Sequence, residues 1–129
     1  MNDKKTFIST RRAPEAIGVY SQAVRAGGLV CLSGQIGLSP NTQQLVEGID
    51  AQIEQVFSNL ASVAEAAGAS LNDALKITVY LTDLAHFPRV NEAMTRFFTA
   101  PYPARAVVGV ASLPRGALVE ADAILSCLD

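Results

Sequence analysis

The stretch Ile49-Asp50-Ala51-Gln52-Ile53-Glu54-Gln55-Val56-Phe57-Ser58-Asn59-Leu60-Ala61-Ser62-Val63-Ala64-Glu65-Ala66-Ala67 decides the fold. Its apolar positions Ile49, Ile53, Val56, Phe57, Leu60, Val63, Ala64 and Ala67 recur at steps of three and four. At 3.6 residues per turn they form one stripe, so the spacing predicts an amphipathic helix over 49–67. Glu54, Gln55, Ser58 and Asn59 are expected to face outward. Gly68 follows, where a left-handed residue commonly ends a helix. A helix with one apolar stripe needs an apolar layer to lie on, and its neighbours in sequence supply one.

Before it, Ala23–Ala26 and Leu29–Leu32 read as two strands of a hairpin about Gly27-Gly28. Ser33-Gly34-Gln35-Ile36-Gly37 comes next, with two glycines that let the backbone bend or approach something closely. Ser39-Pro40-Asn41-Thr42 reads as a loop. After the helix, Leu75–Leu81 is a strand with β-branched Ile77, Thr78 and Val79. A second helix is expected over about Pro88–Phe98, with Phe87, Val90, Met94 and Phe97 on its apolar face. Pro101 and Pro103 stop it. Ala104–Val110 and Leu118–Leu125 are nearly continuous apolar runs, which predicts central strands buried on both faces. The expectation is one α/β (α+β) domain over residues 1–129, a mixed sheet with both helices packed on one face. The other face then needs a cover, and a partner subunit is the natural one.

Bulk properties agree. Half the 129 residues are hydrophobic and 17% are charged, against about 25% in a typical domain. Low charge with a large apolar share favours homo-oligomerisation. The net charge is −2, and the longest basic runs are Lys4-Lys5 and Arg11-Arg12, which argues against nucleic acid as a partner. Cys31 and Cys127 sit in apolar runs and are expected to be buried, reduced thiols. His86 is the one histidine, so no metal site and no Ser-His-Asp or Cys-His set is expected. The start, MNDKKTF, lacks the apolar core of a signal peptide, and no apolar stretch approaches a membrane span. A cytoplasmic home without membrane contact is the expectation.

Two charges stand out. Arg105 is the one charge in Ala104–Val110, and Glu120 interrupts Leu118-Val119-Glu120-Ala121. Strand alternation puts Arg105, Val107 and Gly109 on one face. Arg105 either pairs with Glu120 or holds an anionic ligand, for which its planar fork is suited. Tyr20 lies in a Gly- and Pro-containing loop, Ser33 at a strand end and Asn91 at the edge of the second helix's apolar face. Each has an ordinary structural reading as well as a chemical one.

These residues fall in segments that resemble the RidA/YjgF family along nearly the whole chain. The segments are Gly18-Val19-Tyr20-Ser21-Gln22-Ala23-Val24, Leu32-Ser33-Gly34-Gln35-Ile36-Gly37, Val79-Tyr80-Leu81-Thr82-Asp83-Leu84 followed by Phe87 and Val90-Asn91, and Pro103-Ala104-Arg105 through Leu118-Val119-Glu120. The resemblance implies a chorismate-mutase-like fold and a homotrimer with clefts between subunits. It implies hydrolytic deamination of 2-imino and enamine acids, such as 2-iminobutanoate and 2-iminopropanoate, to 2-oxo acids and ammonia, with no cofactor and no metal. Carried over residue by residue, Glu120, Ser33 and Tyr20 are catalytic, while Arg105, Asn91 and the backbone N–H of Val107 bind substrate. The chain departs from the family pattern at Val19, where proline is usual, at Val107, often cysteine, and at Ala121, usually larger. The rival readings are a 2-oxo acid binder without turnover, an RNA-cleaving or protein-holding activity, and a deaminase dedicated to aminoacrylate-type intermediates.

Overall fold

The computed structural model describes residues 4–127; the first residues of MNDKKTF and the last two of the chain lie outside them. Six strands form one sheet: β1 (Thr6–Ile8), β2 (Ala23–Ala26), β3 (Leu29–Ile36), β4 (Ala74–Leu81), β5 (Ala104–Gly109) and β6 (Val119–Ser126). Their order is β1-β2-β3-β6-β4-β5, antiparallel throughout except for the parallel pair β4·β5. Helices α1 (Ile49–Ala66) and α2 (Phe87–Phe97) pack with one face of the sheet around a single core. Short 3₁₀ turns at Leu71–Asp73, Leu84–His86 and Pro114–Gly116 join the elements.

The apolar stripe of α1 is buried as its spacing requires, with Val56, Phe57, Leu60, Val63 and Ala64 all at 0% exposure. It meets Val30 and Leu32 of β3, Ile77, Val79 and Leu81 of β4, and Val119, Ala121, Ala123 and Leu125 of β6. Phe57 also packs against Phe97 and Phe98 at the end of α2, with ring centroids 5.6 and 6.0 Å apart. No helix among the described residues is long and apolar enough to cross a membrane.

Four sequence expectations need correction. Of the two strands expected to be central and buried on both faces, β6 is central but buried on one face only, and β5 is the sheet edge, with all of its residues exposed or half-buried. An apolar run alone does not say what lies beside it or over its second face. Cys31 is exposed, since strand alternation points it away from the helices, while Cys127 is buried. Asn59, expected on the outside of α1, is 1% exposed. Strand β1 was not anticipated; three residues at an edge are too short to show a period.

Asn59 faces inward because two carbonyls arrive there. Its Nδ2 donates to the oxygens of Ile36 (3.3 Å) and Leu38 (2.9 Å), just past β3. Gln52, the fourth residue of α1 and also buried, donates to Val46 O (3.1 Å) and accepts from the Leu118 N–H (2.9 Å). Gly37 lets this packing close up: a Cβ there would stand 3.0 Å from the Gln52 Cα. So α1 ties down both the end of β3 and the entry to β6, the two strand regions that frame the site below.

Candidate functional site

The strand register separates the chemically interesting residues. On β6, Val119, Ala121, Ala123 and Leu125 point to the helices, so Glu120, Asp122 and Ile124 point to the uncovered face. On β5, Arg105 is the partner of core residue Ile77, and Val107 the partner of core residue Val79. Arg105 and Val107 therefore share the helix side, at the sheet edge, and Val107 packs against the core. Arg105 and Glu120 lie on opposite faces, and no ion pair joins them; the self-pairing alternative of the sequence is not what the fold makes.

Glu120, Ser33 and Tyr20 line one cavity of about 470 Å³, together with Pro14, Glu15, Ile17, the Gly34–Ile36 backbone, Pro114 and Arg115. Its floor follows from a register shift between Leu32 and Gln35, where β3 bulges against β6. The Ser33-Gly34 bulge leaves room for the carboxylate. A Cβ at Gly34 would overlap Glu120 Oε2, so only glycine lets that side chain lie where it does. The carboxylate is half-buried and accepts no hydrogen bond among the described residues. Burial first, and then the charge of Asp122, hold its pKa above the ordinary carboxylate value. Asp122 is itself bound by the Tyr80 hydroxyl (3.0 Å).

Ser33 has a more limited role than its position suggests. Its hydroxyl donates to Ser21 O (2.6 Å) and its N–H to Gln22 O (2.9 Å), which anchors the loop carrying Tyr20. With its proton committed, Ser33 Oγ faces a ligand as an acceptor. Tyr20 is 49% exposed. Val19 beside it is fully exposed, so the valine replaces proline without packing against anything in the protomer.

Arg105 and Asn91 occur together elsewhere, in a depression with Met94, Thr95, Tyr102 and Pro103. Helix α2 presents three groups to the guanidinium. Asn91 Oδ1 accepts from Nη1 at 2.5 Å, Met94 Sδ lies 3.6 Å from the same nitrogen, and the Phe87 ring sits 5.1 Å below the guanidinium carbon. The cation is oriented by uncharged neighbours, and its Nε and Nη2 remain available for a bidentate anion. Because β5 is an edge, the guanidinium is not enclosed within a two-sided apolar strand. In a parallel pair, alternate residues bond the same neighbour. The Val110 N–H donates to Leu81 O (2.9 Å) of β4, so the Val107 N–H, three residues earlier, projects from the free edge.

All six residues singled out from sequence are therefore at a depression or an edge, but in two groups. Sequence reading missed Arg115, Glu15 and Ile17 as cavity residues and Phe87 as the ring under Arg105. Arg115 carried one usable signal, a cation in a Leu-Pro-Arg-Gly turn five residues before Glu120.

A six-stranded α/β sheet with a carboxylate cavity on one face and an oriented arginine on the other defines a single-domain protein of the RidA/YjgF kind. The chain belongs to that family: the family described as Endoribonuclease L-PSP matches residues 10–127. A 2-iminobutanoate/2-iminopropanoate deaminase of Dermatophagoides farinae is 45% identical over 94% of this chain and 95% of its own. The mouse protein of the same name is 46% identical over 93% of this chain and 90% of its own. The crystal structure of RidA from the Antarctic bacterium Psychrobacter sp. PAMC 21119 superposes with a TM-score of 0.92 at 51% identity, covering 94% of this chain and 98% of that one.

Proposed function

We propose that the protein hydrolyses reactive 2-imino acids, such as 2-iminobutanoate and 2-iminopropanoate, to 2-oxo acids and ammonia. The observation that carries this reading is Glu120: a half-buried carboxylate without a hydrogen bond, its pKa raised, facing a cavity of ligand size. A base with a raised pKa is closer to the working pH than an ordinary carboxylate and transfers protons more effectively.

The chemistry assigns roles. The fork of Arg105 holds the substrate carboxylate, with Asn91 fixing the fork and the Val107 N–H adding a donor at the strand edge. This turns the neighbouring C=N carbon toward a water beside Glu120. Glu120 takes a proton from the water as its oxygen bonds to that carbon. It returns the proton to the nitrogen of the tetrahedral intermediate formed from the protonated imine. As the C–N bond breaks, Glu120 takes the hydroxyl proton while that oxygen becomes the carbonyl of the 2-oxo acid. It passes that proton to the departing ammonia, which leaves as ammonium. Ser33 Oγ accepts from the substrate N–H, and the Tyr20 hydroxyl binds at the mouth. Val107 in place of cysteine is compatible with this scheme, since the N–H is the group used.

One protomer does not bring the two halves to one substrate, because they lie on opposite sides of the sheet. We infer a homotrimer in which the Arg105 edge of one subunit closes over the Glu120 cavity of the next. A ring of this sort needs a repeated heterologous contact. Exposed Phe7 and Ile124 on the uncovered sheet face, and Ile17, Val19, Leu84 and Tyr102 around the two half-sites, supply apolar surface for it. A cytoplasmic location and the lack of a nucleic-acid role belong to the same reading, supported by the exposed free thiol of Cys31 and the net charge of −2.

The test uses imines generated in place by an amino-acid oxidase, with release of 2-oxo acid followed against the uncatalysed rate. Wild-type protein is expected to accelerate it. Glu120→Gln is expected to lose turnover while retaining affinity for 2-oxobutanoate, which separates a deaminase from a binder that has no need of a base. Equal turnover by wild type and Glu120→Gln refutes the mechanism.

A further inference from the structure

Two non-glycine residues among the described ones hold left-handed backbone, Gln43 at φ 60° and Arg115 at φ 61°. They are 72 residues apart in sequence, yet bonded to each other: Arg115 Nη2 donates to Gln43 O at 3.3 Å. Gln43 does more than accept that bond. Its Oε1 takes the Glu15 N–H (3.2 Å) and its Nε2 donates to Pro40 O (2.9 Å). One residue thus joins the Pro14–Tyr20 loop, the Ser39–Gln43 turn and the Pro114–Gly116 turn, the first and last of which wall the Glu120 cavity. A glycine would take the backbone of residue 115 without strain. The arginine there sets a guanidinium on the cavity wall, and strained positions of this kind concentrate where a ligand is held.

The charge of Arg115 has no carboxylate within ion-pairing distance among the described residues. Glu15 lines the same cavity, its backbone N–H bonded to Gln43, and its carboxylate is not within ion-pairing distance of Arg115. Nε and Nη1 of Arg115 make no hydrogen bond to the described residues. Arg115 and Glu120 line the same cavity of about 470 Å³, which is open on the side where the neighbouring Arg105 edge is proposed to close it. In the trimer proposed above the partner subunit's Arg105 takes the carboxylate next to the reacting carbon, and Arg115 is a second cation on the wall of the same cleft, placed for the other end of the substrate.

We propose that Arg115, held by Gln43, is a specificity-determining residue that accepts 2-imino acids bearing a second carboxylate at the end of the side chain. The inference rests on the deaminase reading for the word substrate, but its test is a binding measurement that does not depend on turnover. The full-length protein, Arg115→Gln and Arg115→Lys are titrated calorimetrically with 2-oxoglutarate and with 2-oxobutanoate. Arg115→Gln is expected to weaken 2-oxoglutarate by about tenfold more than 2-oxobutanoate, the loss of one charge-assisted pair. Arg115→Lys is expected to recover part of that difference. Equal weakening of both acids, no change in either, or a wild type that does not bind 2-oxoglutarate overturns the proposal. A wild type with the predicted binding pattern but no acceleration of any imine strikes instead at the deaminase reading and leaves the dicarboxylate site standing.

Discussion

At Glu120 a half-buried carboxylate stands near Asp122 with no donor to offset its charge, and its pKa is raised by burial first and Asp122 second. The folded protein therefore holds this proton more tightly than the unfolded chain does. The contribution to stability is full below the unfolded pKa and is lost as pH rises from the ordinary carboxylate value through the raised one. At neutral pH the ionised group is a net cost, so Glu120→Gln is expected to melt higher than wild type while turnover falls by about 100-fold or more. The acid limb of the wild-type kcat/KM profile is expected above the ordinary carboxylate range. A limb at or below that range, or a lower melting temperature for Glu120→Gln, contradicts the assignment. Gly34 gives a second test at this scale. Gly34→Ala puts a methyl where the Glu120 carboxylate lies, and displacing a base by about 1 Å costs on the order of 100-fold in rate. Circular dichroism is expected to show an intact fold, with kcat reduced. On the opposite half-site, Arg105→Lys keeps the charge and loses the fork, and affinity for 2-oxobutanoate is expected to fall by about 1–3 kcal/mol in a calorimetric titration.

Helix α1 shows how an element serves a site it does not enter. Asn59→Ala strands the Ile36 and Leu38 carbonyls, and unfolding in denaturant is expected to show a loss of about 1–3 kcal/mol. Exposed Ser58, its neighbour, is expected to tolerate alanine within about 0.5 kcal/mol. Equal effects at the two positions would mean that the buried bonds contribute nothing. Both helices, five of the strands and the Gly27-Gly28 hairpin were legible from periodicity and turn chemistry, because those signals are local. The role of Asn59 was not, since its partners, at and just past the end of β3, lie 23 and 21 residues away in sequence. The edge position of β5 and the exposure of Cys31 were misread for one reason: an apolar strand signals burial, and sequence does not say whether the cover is the same chain or another. The candidate site was legible as residue types within motifs. What sequence withheld was the face each residue takes across β6, β4 and β5, and with it the division into two halves.

For the whole molecule, that division is the central claim: each cleft needs the Arg105 edge of one subunit and the Glu120 cavity of its neighbour. Mass action makes the assembly part of stability, so melting temperatures of all variants belong at one protomer concentration. Light scattering is expected to return the mass of a trimer at micromolar concentration. The most direct measurement mixes two inactive variants. Arg105→Ala and Glu120→Gln are each expected to be inactive alone, since every cleft in either homotrimer lacks one half. Unfolded together in equal amounts and refolded, they assort at random, and a cleft is complete when an intact Arg105 edge meets an intact Glu120 cavity. About one cleft in four meets that condition in a closed ring with repeated heterologous contacts. The account predicts recovery of about a quarter of wild-type deaminase activity in the mixture. A mixture that refolds to native trimer and stays as inactive as its two components would contradict it, and would return the whole site to a single protomer.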